Sequence, residues 1–155
     1  IYDATAKDFG FVQEDDKKAF ESLQKKVKGF PIKFIVNRNN KELWELYNRA
    51  KIYWHATGFG ENLKQHPEYA EHFGISTVEA MGAGAVPVVI DAGGQKEIVE
   101  NNTNGFLWNT EKEFIEKTEK LIRNPVLLSN MSKEAEKRSK GFSKDRFCRE
   151  VKELL

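Results

Sequence analysis

A single cysteine, Cys148, stands in a chain of 155 residues. That scarcity excludes an internal disulfide and a paired-cysteine metal knot, and it fits a reducing, cytoplasmic setting. Long apolar runs are missing too, since no stretch reaches the roughly 18 residues that a membrane-crossing helix needs. Neither sign of charge is in excess: 25 Lys and Arg face 24 Asp and Glu. The resulting net charge of +1 argues against nucleic acid as a partner held by bulk electrostatics. Internal repeats, low-complexity tracts and a signal-peptide pattern are absent as well, and a chain that opens on Ile1 reads as trimmed.

What is there is an alternation of helix-like and strand-like segments. Asp15 or Asp16 can cap a helix in which Ala19, Phe20, Leu23 and Val27 keep helical spacing. Lys28-Gly29 stops it, and the apolar run from Ile32 to Val36 reads as a strand, followed by a polar turn over Asn37 to Asn40. Leu43, Leu46, Tyr47 and Ala50 then share a helix face, and Ile52-Tyr53-Trp54 reads as a second buried strand. The stretch from His55 to His72 is irregular and long, and connections of that kind tend to serve function.

The pattern then repeats. A helix is expected over Ser76 to Met81, a strand over Pro87 to Ile90, a glycine turn over Asp91 to Gly94, a short helix over 95–100 and a strand over Gly105 to Trp108. Thr110 and Glu113 form a capping box opening a helix that carries Phe114, Ile115, Thr118, Leu121 and Ile122 inward. Pro125 starts another helix, and Ser143 caps a last one bearing Phe147, Val151 and Leu154. This order predicts one α/β domain over 1–155, a Rossmann-like three-layer parallel sheet. Ligands of such sheets bind beyond the carboxyl ends of the strands.

The stretch EHFGISTVEA, residues 71 to 80, lies at that edge and places Glu71 and Glu79 eight positions apart. Ser76-Thr77-Val78-Glu79 fits a capping box, which accounts for Glu79 alone. Alternatively, Gly74 to Thr77 supply unpaired N–H groups at a helix start, a site for phosphate or diphosphate. Glycine at 74 lets a ligand approach the backbone, with Glu71 and Glu79 as acceptors for sugar or ribose hydroxyls. From spacing alone both readings stand.

Glu71 to Met81, with Gly84, Pro87-Val88-Val89, Gly93-Gly94 and Glu97-Ile98-Val99, resembles the donor-site signature of family 4 glycosyltransferases. Those are retaining enzymes of the GT-B fold, marked by an E-x7-E element. The likeness runs over about residues 41 to 146 and is densest from 71 to 107. It implies the C-terminal, donor-binding half of such an enzyme, acting on a nucleotide sugar such as GDP-mannose or UDP-glucose, with no cofactor and no metal. Glu71 would be the catalytic-site carboxylate, binding donor-sugar hydroxyls. Phe73, Gly74 and Ile75 would offer N–H groups to sugar and diphosphate, Ser76 and Thr77 would lie at the phosphate end, and Glu79 would hold the ribose. The base is expected near Asn37 and Arg38.

Two elements of the family are not matched: the strand and glycine turn whose arginine and lysine clasp the diphosphate, and the N-terminal acceptor half. Ile1-Tyr2 resembles the end of the family's next strand, so the expectation is a fragment that is inactive by itself. The rival reading is a non-catalytic nucleotide-sugar-binding module that regulates or scaffolds a partner. A sugar-nucleotide epimerase is a third, against which the E-x7-E flank stands. Asp8-Phe9-Gly10 spells a kinase magnesium motif without its companions. His55, His66 and His72 with Glu68 and Glu71 match no closed metal-ligand spacing and are expected to be satisfied loop histidines. The lysine-rich terminal helices read as solvated faces, with peripheral association of the full enzyme at the membrane's cytoplasmic face as the family-implied addition.

Overall fold

Why the chain folds as it does is clearest at Val86–Ile90, where five consecutive residues are all buried. A strand with helices on both of its faces needs apolar side chains at every position rather than at alternate ones. The structure, a computed structural model, describes residues 14–36 and 38–153. In chain order the elements are α1 (Glu14–Lys26), α2 (Asn40–Arg49), β1 (Ile52–His55), α3 (Ile75–Gly82) and β2 (Val86–Ile90). They continue with α4 (Gln95–Ile98), β3 (Phe106–Trp108), α5 (Glu111–Arg123), α6 (Pro125–Ser139) and α7 (Lys144–Glu153). The chain divides into two compact units between Leu43 and Trp44, within α2.

In the second unit the sheet runs β1-β2-β3, all parallel, with Ile52 opposite Val86 and Val88 opposite Phe106. This is the expected α/β fold. Pro87 sits in the central strand without breaking it. Val86 donates to Lys51 O on the β1 side, so the N–H that proline lacks would point toward β3. The β3 ladder begins only at Val88, and Gly105 fits against the ring, where a Cβ would come within 2.5 Å of Pro87 Cγ. On one face Val86, Val88 and Ile90 pack with Phe106, Trp108, Leu121 and Met131. On the other, Val89 packs with Met81, Ile98, Val99 and Ala135. Helix α6 serves both cores through Met131 and Ala135.

Several expectations are corrected. Ile32 to Val36 forms no strand; a strand exists through its ladder, and this segment belongs to none among the described residues, with Ile32 and Ile35 exposed. Phe34 packs edge-on to Phe20 of α1 instead, at 5.2 Å. β1 is an edge strand of the described sheet rather than a buried one, and Trp54 is 58% exposed. Ile115 and Ile122 do not point inward. The buried line of α5 is Phe114, Thr118 and Leu121, and the next residue round turns about 100° away from it. α1 already runs at Glu14, so Asp15 and Asp16 lie in its first turn rather than capping it. Ile1-Tyr2, Asp8-Phe9-Gly10, Asn37 and Leu154 lie outside the described residues.

Capping follows the sequence at α5, where Glu113 N donates to Thr110 Oγ1 at 3.2 Å. The return bond differs slightly, because the Glu113 carboxylate takes the N–H of Asn109 at 2.9 Å instead of that of Thr110. At α2 a full reciprocal box joins Asn39 and Glu42, at 3.0 and 3.2 Å, which the sequence showed only as a polar turn.

Candidate functional site

The site is built where α3 starts, beyond the carboxyl end of β1 and beside the turn after β2. Gly74 is the N-cap of α3, with φ 102°, a left-handed conformation suited to glycine. A Cβ there would sit 2.9 Å from Gln95 Nε2 and 3.1 Å from Ile98 Cδ1. The capping box expected at Ser76 is therefore not formed. Ser76 is the second helical residue, and its hydroxyl is hydrogen-bonded to the Tyr53 hydroxyl at 2.8 Å. With no side chain capping α3, the N–H groups of Gly74, Ile75 and Ser76 have no partner among the described residues.

The turn over residues 91–94 braces the approach to this helix. Gly94 N donates to Glu71 O at 2.8 Å. A Cβ on Gly93 would lie 2.2 Å from Glu71 O, and one on Gly94 would lie 2.5 Å from His72 O. Both glycines are needed because two backbone segments touch there.

Glu71 points its carboxylate to His55, with Oε2 3.2 Å from Nε2. Thr57 Oγ1 lies 3.3 Å from the same nitrogen. Glu79, in the second turn of α3, is half-buried, and its carboxylate makes no hydrogen bond within the described residues. Tyr47 lies near it. Its phenol is pushed above the usual range by burial first, then by Tyr53 and by the charge of Glu79. Phe73 is partly exposed and meets Phe142 edge-on at 5.7 Å, and Ile75 is exposed. Thr77 lies beneath: its N–H is bonded to Gly74 O at 3.0 Å, and its buried hydroxyl has no partner among the described residues. Of the expected base contacts, Arg38 belongs to the first unit and pairs with Glu42 at 3.1 Å.

Sequence reading missed Tyr47, Tyr53, Thr57 and Gln95, and it took His55 for a loop residue. The signal was present, since residues 53 and 55 share one face of a strand. His66 pairs instead with Glu68 at 3.1 Å, and no metal-holding group of His, Cys, Asp and Glu occurs among the described residues. An apolar cavity of about 430 Å³, lined by Trp54, Phe59, Trp108 and Phe114, borders His55. Chemically, free N–H groups and the helix dipole attract an anion, while two flanking carboxylates accept hydrogen bonds from hydroxyls.

The profile of the family described as glycosyl transferases group 1 matches residues 9–138. The chain is 37% identical over 83 residues to a GDP-Man:Man(3)GlcNAc(2)-PP-Dol alpha-1,2-mannosyltransferase of Dictyostelium discoideum. That alignment covers 53% of this chain and spans only 16% of the mannosyltransferase. In fold the chain is similar to Anabaena HepE in complex with UDP and glucose, with TM-score 0.75 and 22% identity, over 91% of this chain and 37% of that one. It is also similar to the C-terminal domain of a group 1 glycosyl transferase from Francisella tularensis, with TM-score 0.60 and 21% identity, over 81% of this chain and 63% of that one.

Proposed function

The chain belongs to the group 1 glycosyl transferases, and from that premise we propose that it is the donor-binding half of a family 4, retaining hexosyltransferase. The observation that carries this reading is the open start of α3: three N–H groups on Gly74, Ile75 and Ser76 without partners among the described residues, flanked by Glu71 and Glu79. The diphosphate of a nucleotide sugar docks on those N–H groups, with Phe73 and Ser76 beside it and Thr77 behind. Glu71 takes donor-sugar hydroxyls and Glu79 takes the ribose, completing an E-x7-E element. GDP-mannose and UDP-glucose are the donors of choice, supported by the mannosyltransferase relative and by the fold shared with HepE.

Transfer then depends on the leaving group. N–H donors fixed before the reaction stabilise the charge that builds on the diphosphate as the glycosidic bond breaks. The reading needs no metal, because the helix start supplies the positive potential. A covalent intermediate would require a carboxylate free to attack the anomeric carbon. No second carboxylate is identified for that role among the described residues, so the reading takes departure and attack on one face, which retains the configuration, as the preference that the family resemblance implies. Calorimetric titration of the chain with UDP, GDP, UDP-glucose and GDP-mannose tests it. One nucleotide and its sugar conjugate are expected to bind, the conjugate more tightly. Absence of binding by all four at millimolar concentration would overturn the assignment.

A further inference from the structure

His55 closes β1 with a side chain only 9% exposed. Its Nε2 faces Glu71 Oε2 at 3.2 Å and Thr57 Oγ1 at 3.3 Å, while Nδ1 is buried with no partner among the described residues. A hydrogen on Nδ1 would be a buried donor without an acceptor, a costly arrangement. On Nε2 the same hydrogen points at a carboxylate. The hydrogen therefore belongs on Nε2, and His55 donates to Glu71. The ring is held in place by stacking on Tyr53, centroids 6.4 Å apart and planes 28° from parallel. Tyr53 in turn bonds Ser76 at 2.8 Å. Two residues on one face of β1 thus grip the segment 71–76 at both ends.

We infer that His55 is a positioning residue for Glu71: by occupying Oε2 it fixes the carboxylate plane and turns Oε1 toward the ligand. This rests on the reading of Glu71 as the donor-sugar contact. A carboxylate free to rotate would pay for its ordering when the sugar binds, and one already held by a charge-assisted bond does not.

The affinities of UDP-glucose against UDP, and of GDP-mannose against GDP, measured on the full chain, test the inference. His55→Leu should cut the affinity added by the sugar about tenfold and leave that of the bare nucleotide unchanged. His55→Gln, which keeps an N–H in similar reach, should restore most of the loss. Equal losses for conjugate and bare nucleotide, or equal behaviour of the two variants, would overturn positioning. Glu71→Ala separates the two readings. If it removes the sugar-dependent affinity and His55→Leu does not, only the inference on His55 fails. If it leaves that affinity intact, the reading of Glu71 fails and the inference with it. Should His55→Leu not fold, the imidazole nitrogen resonances of the unaltered chain decide. An Nε2–H tautomer that changes on Glu71→Ala supports the inference, and an Nδ1–H tautomer refutes it.

Discussion

Glu79 poses the sharpest question for a single residue, because a glutamate early in a helix is commonly just a cap. Here the cap is Gly74, and the Glu79 carboxylate makes no hydrogen bond within the described chain. Removing it therefore takes little from the fold. Glu79→Ala should leave the melting temperature nearly unchanged and weaken nucleotide binding by about 1.5–3 kcal/mol, the worth of a hydrogen bond to a charged group. The same substitution has an electrostatic readout. The negative charge of Glu79 helps to hold the Tyr47 phenol above its ordinary range. Without it Tyr47 should ionise at lower pH, though still raised by burial, as followed by ultraviolet absorbance during alkaline titration. A large fall in melting temperature with unchanged binding would return Glu79 to a structural role.

Helix α5 shows what capping chemistry does for an element. Thr110 accepts from Glu113 N, and the Glu113 carboxylate accepts from Asn109 N and from Lys117 Nζ, at 2.9 and 3.2 Å. Thr110→Ala should cost about 1 kcal/mol and lower the melting temperature by a few degrees. The bond from Asn109, then that from Lys117, hold Glu113 below the usual carboxylate range. A carboxylate whose folded value is depressed stabilises the fold above its unfolded value, and that contribution is lost as pH falls through the folded one. Glu113→Gln should therefore narrow the gap in stability between neutral and acidic solution, measured by urea denaturation at several pH values. An unchanged pH profile would show that Asn109 and Lys117 do not hold the charge.

On the scale of the whole molecule, the chain spans 16% of the mannosyltransferase and 37% of the HepE chain that it resembles. Sugar transfer requires an acceptor oriented against the donor, and orientation accounts for a large part of such rate enhancements. On the proposed reading, the start of α3 holds a diphosphate without needing an acceptor beside it. The chain is therefore expected to bind nucleotide sugar weakly and to transfer nothing by itself. Incubation with labelled UDP-glucose or GDP-mannose and a range of acceptors, repeated with an added N-terminal half from a family member, checks this. Robust transfer by the chain alone would show that the second half is dispensable.

Much of this was legible from neighbouring residues. The unbroken apolar run at 86–90 reports a strand buried on both faces, Thr110 and Glu113 report a cap three positions long, and Gly93-Gly94 reports a tight turn. Each depends on groups close in the chain, so local chemistry determines it. The start of α3 was different. Ser76 had the right spacing to cap, yet Tyr53 claims its hydroxyl, and the pressure of Gln95 and Ile98 on position 74 makes glycine the cap. Ile32 to Val36 had the composition of a strand and formed none, because a strand needs partners that its own residues cannot specify. His55 and Glu71, 16 residues apart, meet where β1 ends beneath the 71–74 loop. Outside Ile32 to Val36, local sequence settled which elements form, while the packing of β1 and the 91–94 turn against residues 70–76 decided which of those side chains face one another.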